Sequence, residues 1–264
     1  MLKTRILNFG KRIVPHNLRI YLRKLNWKIN YHLQNLNSNS SGPGVYCPIA
    51  DKSFKSFIRM QDDLLTPTNG ARSRQRLVWL YLKNEIDILN KEARVLHVAP
   101  EISYQDILSK QKNLSYFPGD KMVAGYSNQG GVQNIDLTKL EFEDNSFDLV
   151  ICNHVLEHIP DDKAAMSEIY RVLKPGGKGV ITVPIKEDLE NTYENDEITT
   201  PQDRVKHFGQ WDHVRWYGMD IKKRFEDAGF EVELKKYGEN FSEEDFQKYG
   251  LCNDIIIDLR KPLL

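Results

Sequence analysis

The spacing of apolar residues changes character twice along the chain. From Asn17 onward Leu18, Tyr21, Leu22, Leu25, Ile29 and Leu33 recur at intervals of three and four, with Arg19, Arg23 and Lys24 flanking them. That spacing predicts an amphipathic basic helix. The polar, glycine-containing stretch Asn37 to Gly44 predicts a linker. A second helix is predicted near 73–89, with Val78, Leu82, Ile86 and Leu89 on one face. After Lys91 short apolar runs alternate with helical spacing, and strands are predicted over 94–98, 113–117, 132–136, 147–153 and 178–183. The best-marked helix among them runs over 161–173, where Ala165, Ile169 and Val172 share a face and the turn Lys174-Pro175-Gly176-Gly177 ends it. A last helix places Ile221, Phe225 and Ala228 together with Gly229 at its end, and residues 231–237 and 253–260 supply two closing strands. Alternating strands and helices imply a parallel sheet covered on both sides, with ligands at the carboxyl ends of the strands.

Composition narrows the class. With 264 residues, 40% hydrophobic and 10% aromatic, the chain can bury a sizeable core, and disorder is excluded as its main state. No apolar run approaches the roughly 18 to 20 residues of a membrane-spanning helix, and the N-terminus lacks a secretory pattern, so a cytoplasmic location is expected. Cys47, Cys152 and Cys252 are too few and too scattered for a disulfide framework, which points to a reducing compartment. The balance of 37 basic and 37 acidic groups hides a division: residues 1–50 carry Lys3, Arg5, Lys11, Arg12, Arg19, Arg23, Lys24 and Lys28 and no acid. Two expectations follow for residues 1–34. Either the helix lies on an anionic membrane at the inner face, with Trp27 and Tyr31 near the headgroups, or its apolar stripe docks on the main domain. Nucleic acid is disfavoured as a partner because no groove-reading motif accompanies the charge.

The predicted strand ends carry the candidate chemistry: His97 to Glu101, Asp120, Asp136, and Asn153 to His158. Carboxylates in register at neighbouring strand ends accept hydrogen bonds from a ribose diol and an exocyclic amine, so a nucleoside ligand is indicated.

Residues 135–184, "IDLTKLEFEDNSFDLVICNHVLEHIPDDKAAMSEIYRVLKPGGKGVITVP", resemble the central signature of class I S-adenosylmethionine-dependent methyltransferases, and weaker similarity reaches from about Arg94 to the end. The resemblance implies an α/β, Rossmann-like fold with a seven-stranded, mostly parallel sheet, helices on both faces and an N-terminal helical extension. It implies S-adenosylmethionine as cofactor, with Asp136 and Leu137 bordering the adenine, Asp120 at the ribose hydroxyls, and Asn153 and His154 beneath the methionine part. The first motif departs from the family pattern. Where most members have a glycine-rich turn, this chain has His97, Val98, Ala99, Pro100 and Glu101. The Cβ of Ala99 and the ring of Pro100 curtail backbone approach, and Pro100 has no N–H to donate. One reading is lost cofactor binding. The favoured one is a variant loop, since "LHVAPE" resembles the first motif of one bacterial group of these enzymes, in which Glu101 would receive the cofactor's ammonium or ribose.

That same group carries an N-terminal zinc ribbon, which "VYCPIADKSFKSFIRM" resembles in degenerate form. Only Cys47 survives, Ala50 stands at the second ligand position, and residues 66–76 hold no cysteine. Tetrahedral zinc needs four donors, so no metal is expected, and Phe54, Phe57 and Ile58 are expected to hold the segment by packing. Between the fifth strand and the last helix, the polar insertion 185–220 has the character of a functional loop or lid. Its "FGQWDHVRWYG" resembles a recurring segment of the group and suggests an acceptor pocket. His213 is the first candidate for a catalytic base, with His207 and His158 behind it, because imidazole titrates near neutral pH. Arg215 would hold an anionic acceptor or pair with Asp212 or Asp220.

Three segments are therefore expected: a basic helix and linker over 1–45, the degenerate ribbon and a helix over 46–92, and a class I methyltransferase domain over 93–264. The expected function is O-methylation of a small molecule or a glycan precursor. The alternative is an inactive, cofactor-binding or scaffold protein of the same fold.

Overall fold

Each central strand is a short apolar run whose alternate residues enter two different cores, as period-two geometry requires for a sheet covered on both faces. The computed structural model describes residues 16–36, 44–60, 63–121 and 131–263, without the side chains of 16–20, 23, 24, 34 and 35. Lys3, Arg5, Lys11 and Arg12, the side chains of Leu18, Arg19, Arg23 and Lys24, and most of the Asn37 to Gly44 linker lie outside the described residues.

The main sheet joins β5 (Ala93–Val98), β6 (Leu114–Asp120), β7 (Gln133–Asn134), β8 (Phe147–Asn153), β9 (Leu173–Thr182), β12 (Glu231–Lys235) and β13 (Ile256–Arg260) in the order β12-β13-β9-β8-β5-β6-β7. β7, β6, β5, β8 and β9 are mutually parallel, while β13 is antiparallel to both neighbours. This is the expected Rossmann-like architecture. The strand order reverses beside β5, which places the ligand-binding crevice at the carboxyl ends of β5, β6 and β8.

On one face Leu96, Val150, Cys152 and Ile181 pack against Ala165, Met166 and Ile169 of α4 (Asp162–Val172) and against Ile221 and Phe225 of α6 (Ile221–Asp227). On the other Val95, Leu149, Ile151 and Val180 meet Leu77, Tyr81 and Leu82 of α2 (Ser73–Asn84) and Tyr104 and Leu108 of α3 (Ile102–Leu108). The second core continues into residues 46–92 through Cys47, Ile49 and Phe57, so the N-terminal segment and the sheet share one apolar interior. α2 ends at Asn84, short of the expected Leu89, and Asp87 has a left-handed backbone. The turn Lys174 to Gly177 does not follow the helix as a loop: β9 already begins at Leu173, and these residues form a bulge between the Phe147–Leu173 and Leu149–Lys178 pairs.

Residues 44–66 fold as two small antiparallel hairpins, β1 (Val45–Cys47) with β2 (Lys52–Phe54) and β3 (Ile58–Met60) with β4 (Asp63–Leu65). Phe57 and Ile58 are buried as expected, but apolar packing is not the whole of it. The guanidinium of Arg76, fully buried, donates to the carbonyls of Ala71 (2.6 Å), Leu64 (3.0 Å), Gly250 (2.6 Å) and Tyr249 (2.7 Å) and lies 4.0 Å over the Phe57 ring. Thr66 Oγ1 donates to Cys47 Sγ at 3.1 Å. Burial lowers the Arg76 pKa to about 10, which leaves it charged at neutral pH. Arg76 thus ties the second hairpin to the turn before α2 and to the C-terminal part of the chain, while Thr66 reaches the first hairpin at Cys47.

α1 (His16–Asn35) corrects the expected placement of Trp27 and Tyr31 and of the docked stripe. Trp27 does not face outward: a Cβ on Gly70 would lie 2.2 Å from its ring. Tyr31 accepts a hydrogen bond from Lys55 N at 3.1 Å and meets the Phe54 ring edge-on. The aromatic pair is the docked face, and the leucine and isoleucine stripe remains exposed, with Tyr21 at 61%, Leu25 at 39% and Leu33 at 60%. No helix among the described residues is long and apolar enough to cross a membrane.

Candidate functional site

A cavity of about 580 Å³ opens at the carboxyl ends of β5, β6 and β8, within the usual range of about 300 to 1,000 Å³ for small-molecule sites. Ala99, Asp120, Asp136, Leu137, His154 and His158 line it, as the sequence led us to expect. The backbone explains how the first turn works without glycine. Ala99 takes φ +48°, the left-handed region that the missing glycine would occupy, and its N–H donates to Gly119 O at 2.7 Å. For an alanine this costs about 1 to 2 kcal/mol. Pro100 and Glu101 turn away from the hollow and do not fill it. Gly119 is required on the opposite wall, since a Cβ there would come within 2.4 Å of Ile135, which lines the cavity.

Three expected cofactor contacts stand one layer below the floor. His97 is fully buried, because within β5 it points to the same face as Val95. Its Nδ1 meets Tyr116 Oη and its Nε2 meets Glu101 Oε2, both at 2.8 Å, and its ring stacks on Tyr104. Asn153 donates to Glu101 Oε1 at 3.2 Å and to Tyr104 Oη at 3.0 Å, and accepts from Thr182 Oγ1 at 3.0 Å. His97, Glu101 and Asn153 are therefore positioning residues that brace the turn instead of touching the cavity. Burial works against ionisation of Glu101, but the hydrogen bond and charge of His97 outweigh it and hold the carboxyl below its ordinary range.

The two wall acids differ. Asp120 ends β6, and burial raises its carboxyl above the usual range against the pull of the Lys121 N–H. No side-chain donor among the described residues meets it. Asp136 is already satisfied: Lys121 Nζ lies 2.7 Å from its Oδ2, Thr138 N and Oγ1 donate to its Oδ1, and these partners, Lys121 first, hold it down to about 2. Lys121 also lines the cavity, as do Arg204 and the half-exposed Trp211 of the insertion; none of these was singled out from the sequence as a cofactor contact.

The insertion folds as β10 (Tyr193–Glu194), α5 (Pro201–Phe208) and β11 (Arg215–Trp216). Of the three candidate bases only His158 reaches the cavity. His207 bonds Tyr193 Oη at 2.8 Å on the outside. His213 is buried behind His158, ring centroids 4.7 Å apart, and burial, then the neighbouring His158, lowers its pKa. His158 Nδ1 stands 3.5 Å from Asp212 Oδ2. Arg215 is no acceptor ligand: it is buried, bonds the carbonyls of Leu156, Ile159 and Pro160, and pairs with Glu194 at 2.8 Å and not with Asp212 or Asp220. It fixes the segment that carries Glu157 and His158, and Val214 N seals that segment to the insertion by donating to Glu157 O at 2.9 Å.

Residues 118–181 match the methyltransferase domain family, and they hold β8, α4, most of β9 and much of the cavity wall. Among curated relatives, the chain is 50% identical over 48 residues to phosphoethanolamine N-methyltransferase 2 of Caenorhabditis elegans, covering 18% of this chain and 11% of that one. It is 50% identical over 46 residues to demethylmenaquinone methyltransferase of Streptomyces avermitilis, covering 17% and 20%. The matched part is thus a small fraction of these relatives' length. A solved structure, the 4+2 cyclase SpnF, aligns over 89% of this chain and 94% of that one with a TM-score of 0.51 and 16% identity, which shows a shared fold.

Proposed function

We propose that the chain is an S-adenosylmethionine-dependent methyltransferase acting on a hydroxyl of a small molecule or glycan precursor. The reading is carried by one observation: a hollow at the carboxyl ends of three parallel strands, walled by Asp120, Asp136 and Leu137 and floored by a left-handed Ala99. The residues present fit the cofactor. Asp120, without a side-chain partner among the described residues, would accept from the ribose hydroxyls; Leu137 and Ile135 would offer apolar surface to the adenine, and Asp136 and Thr138 would accept from its polar groups. When bound, the cofactor supplies a methyl group on a cationic sulfur.

The protein's own part is alignment and exclusion of water. His154, with φ +53° and its N–H fixed to Thr182 O at 2.8 Å, shapes the floor. Trp211 and Arg204 bring the insertion into the cavity lining. His158 stands in the wall with Asp212 beside it, and a hydroxyl acceptor gives up its proton to this cluster as its oxygen is methylated. One of the named relatives is an N-methyltransferase; the imidazole and carboxylate at the wall favour oxygen here.

Isothermal titration with S-adenosylmethionine and its demethylated product tests the reading. Binding near one per chain, lost in Asp120→Ala, is expected. Absence of binding by well-folded protein would leave the scaffold alternative.

A further inference from the structure

Two dipeptides, Glu157-His158 after β8 and Asp212-His213 in the insertion, are far apart in sequence and meet at the cavity wall. One ligand atom each from Glu157, His158 and His213 lies within 4.8 Å of the others. Two of these groups are deeply buried with an atom left over: among the described residues His213 Nδ1 and Glu157 Oε2 have no hydrogen-bond partner, at 7% and 1% exposure. A buried lone pair and a buried carboxylate oxygen each cost about 1 to 3 kcal/mol when unsatisfied, so each calls for a partner. Glu157 Oε1 is engaged by His154 Nδ1 at 3.3 Å, which orients the free oxygen's carboxylate, and Arg215 and Val214 fix both backbones. These are the features of a preformed ligand set with a supporting shell.

We propose that Glu157, His158 and His213 bind a divalent first-row transition ion, with Asp212 Oδ2 3.5 Å from His158 Nδ1 to orient that imidazole. Two imidazoles with carboxylate oxygen suit zinc or iron and disfavour calcium and magnesium, which prefer all-oxygen shells. His158 and Asp212 line the cavity, so an ion held here sits in its wall. Its chemical use, drawing electron density from an acceptor hydroxyl so that its proton would pass to water in place of His158, rests on the methyl-transfer reading; its binding does not.

The test counts metal on the whole chain. Protein stripped with chelator, loaded with Zn²⁺ and desalted should retain one equivalent by mass spectrometry, and Co²⁺ in its place should give visible d–d bands without a thiolate charge-transfer band. Affinity should fall by about 100-fold or more in His213→Ala and in the half-exposed His158→Ala, and be unchanged in Cys47→Ser. Circular dichroism separates unfolding from ligand loss, and His158→Ala guards against a folding defect in the buried variant. No retained zinc, zinc retained by both histidine variants, or zinc lost from Cys47→Ser would each overturn the site. Titration of metal-free protein with the demethylated cofactor product addresses the methyltransferase reading by itself.

A separate observation concerns α1. We also propose that its exposed stripe, Tyr21, Leu22, Leu25, Ile29, Leu33 and Leu36, binds an anionic membrane surface, because Trp27 and Tyr31 hold the helix on the domain from the opposite side and residues 1–50 carry eight basic groups and no acid. The intact chain should sediment with phosphatidylglycerol vesicles and not with phosphatidylcholine ones, and Leu25→Asp with Ile29→Asp should abolish it. Equal sedimentation of that variant, or binding to RNA in place of vesicles, would overturn the proposal.

Discussion

The hairpins of residues 44–66 and the turn after β5 both lack residues that the motifs they resemble would carry, yet their interiors differ. Around the hairpins the space is filled: Arg76 satisfies carbonyls of the second hairpin, of the turn before α2 and of the C-terminal part of the chain. After β5 there is no glycine in the turn, and the space beside it is open. Ala99 holds the left-handed backbone, and a braced layer of His97, Glu101 and Asn153 supports it from below. A missing motif residue therefore says less than the volume around it. One centre became structure; the other stayed a site.

That contrast can be broken most forcefully at Arg76. Arg76→Ala leaves four buried carbonyls without their donor and should cost about 3 to 5 kcal/mol in urea denaturation; a loss below about 1 kcal/mol would mean that Phe57 and Ile58 hold the hairpins by packing alone. At the cavity, Asp120→Ala should weaken binding of the demethylated cofactor product about 10- to 100-fold, with little change in stability. Because burial raises the Asp120 carboxyl, product affinity should be full above that raised pKa and fall as pH drops through it. Asp120→Asn should flatten this dependence, and an unchanged pH profile would count against a ribose contact. The smallest effect is expected at Ala99: exchange for glycine relieves the left-handed strain but loosens the unfolded chain, for a net gain of at most about 1 kcal/mol, with affinity kept. A large loss of affinity in Ala99→Gly would show that its methyl group is part of the floor.

Much of the architecture was legible because β5, β8 and α4 are strongly periodic and long enough to show it. The three-residue strands β1 to β4 are too short for any period, and α7 (Glu243–Tyr249) has no buried residue to mark a face. At the site, acids at strand ends were readable from position alone. His97 was readable too, and in the other direction: sitting inside β5 two residues from Val95, it had to face the core. His213 and Arg215 misled because an aromatic, charged loop looks the same whether it lines a cavity or clamps its neighbour. Lys121 is separated from Asp136 by 15 positions in the chain, and no local pattern joins them.

The bonds from Arg76 to Tyr249 and Gly250 span 173 and 174 positions of the chain. They tie nearly opposite ends of the described protein into a single knot of polar contacts. A shortened version starting at the first strand of the main sheet would strand that knot, so any trimming, fusion or grafting of this scaffold has to keep the small hairpins.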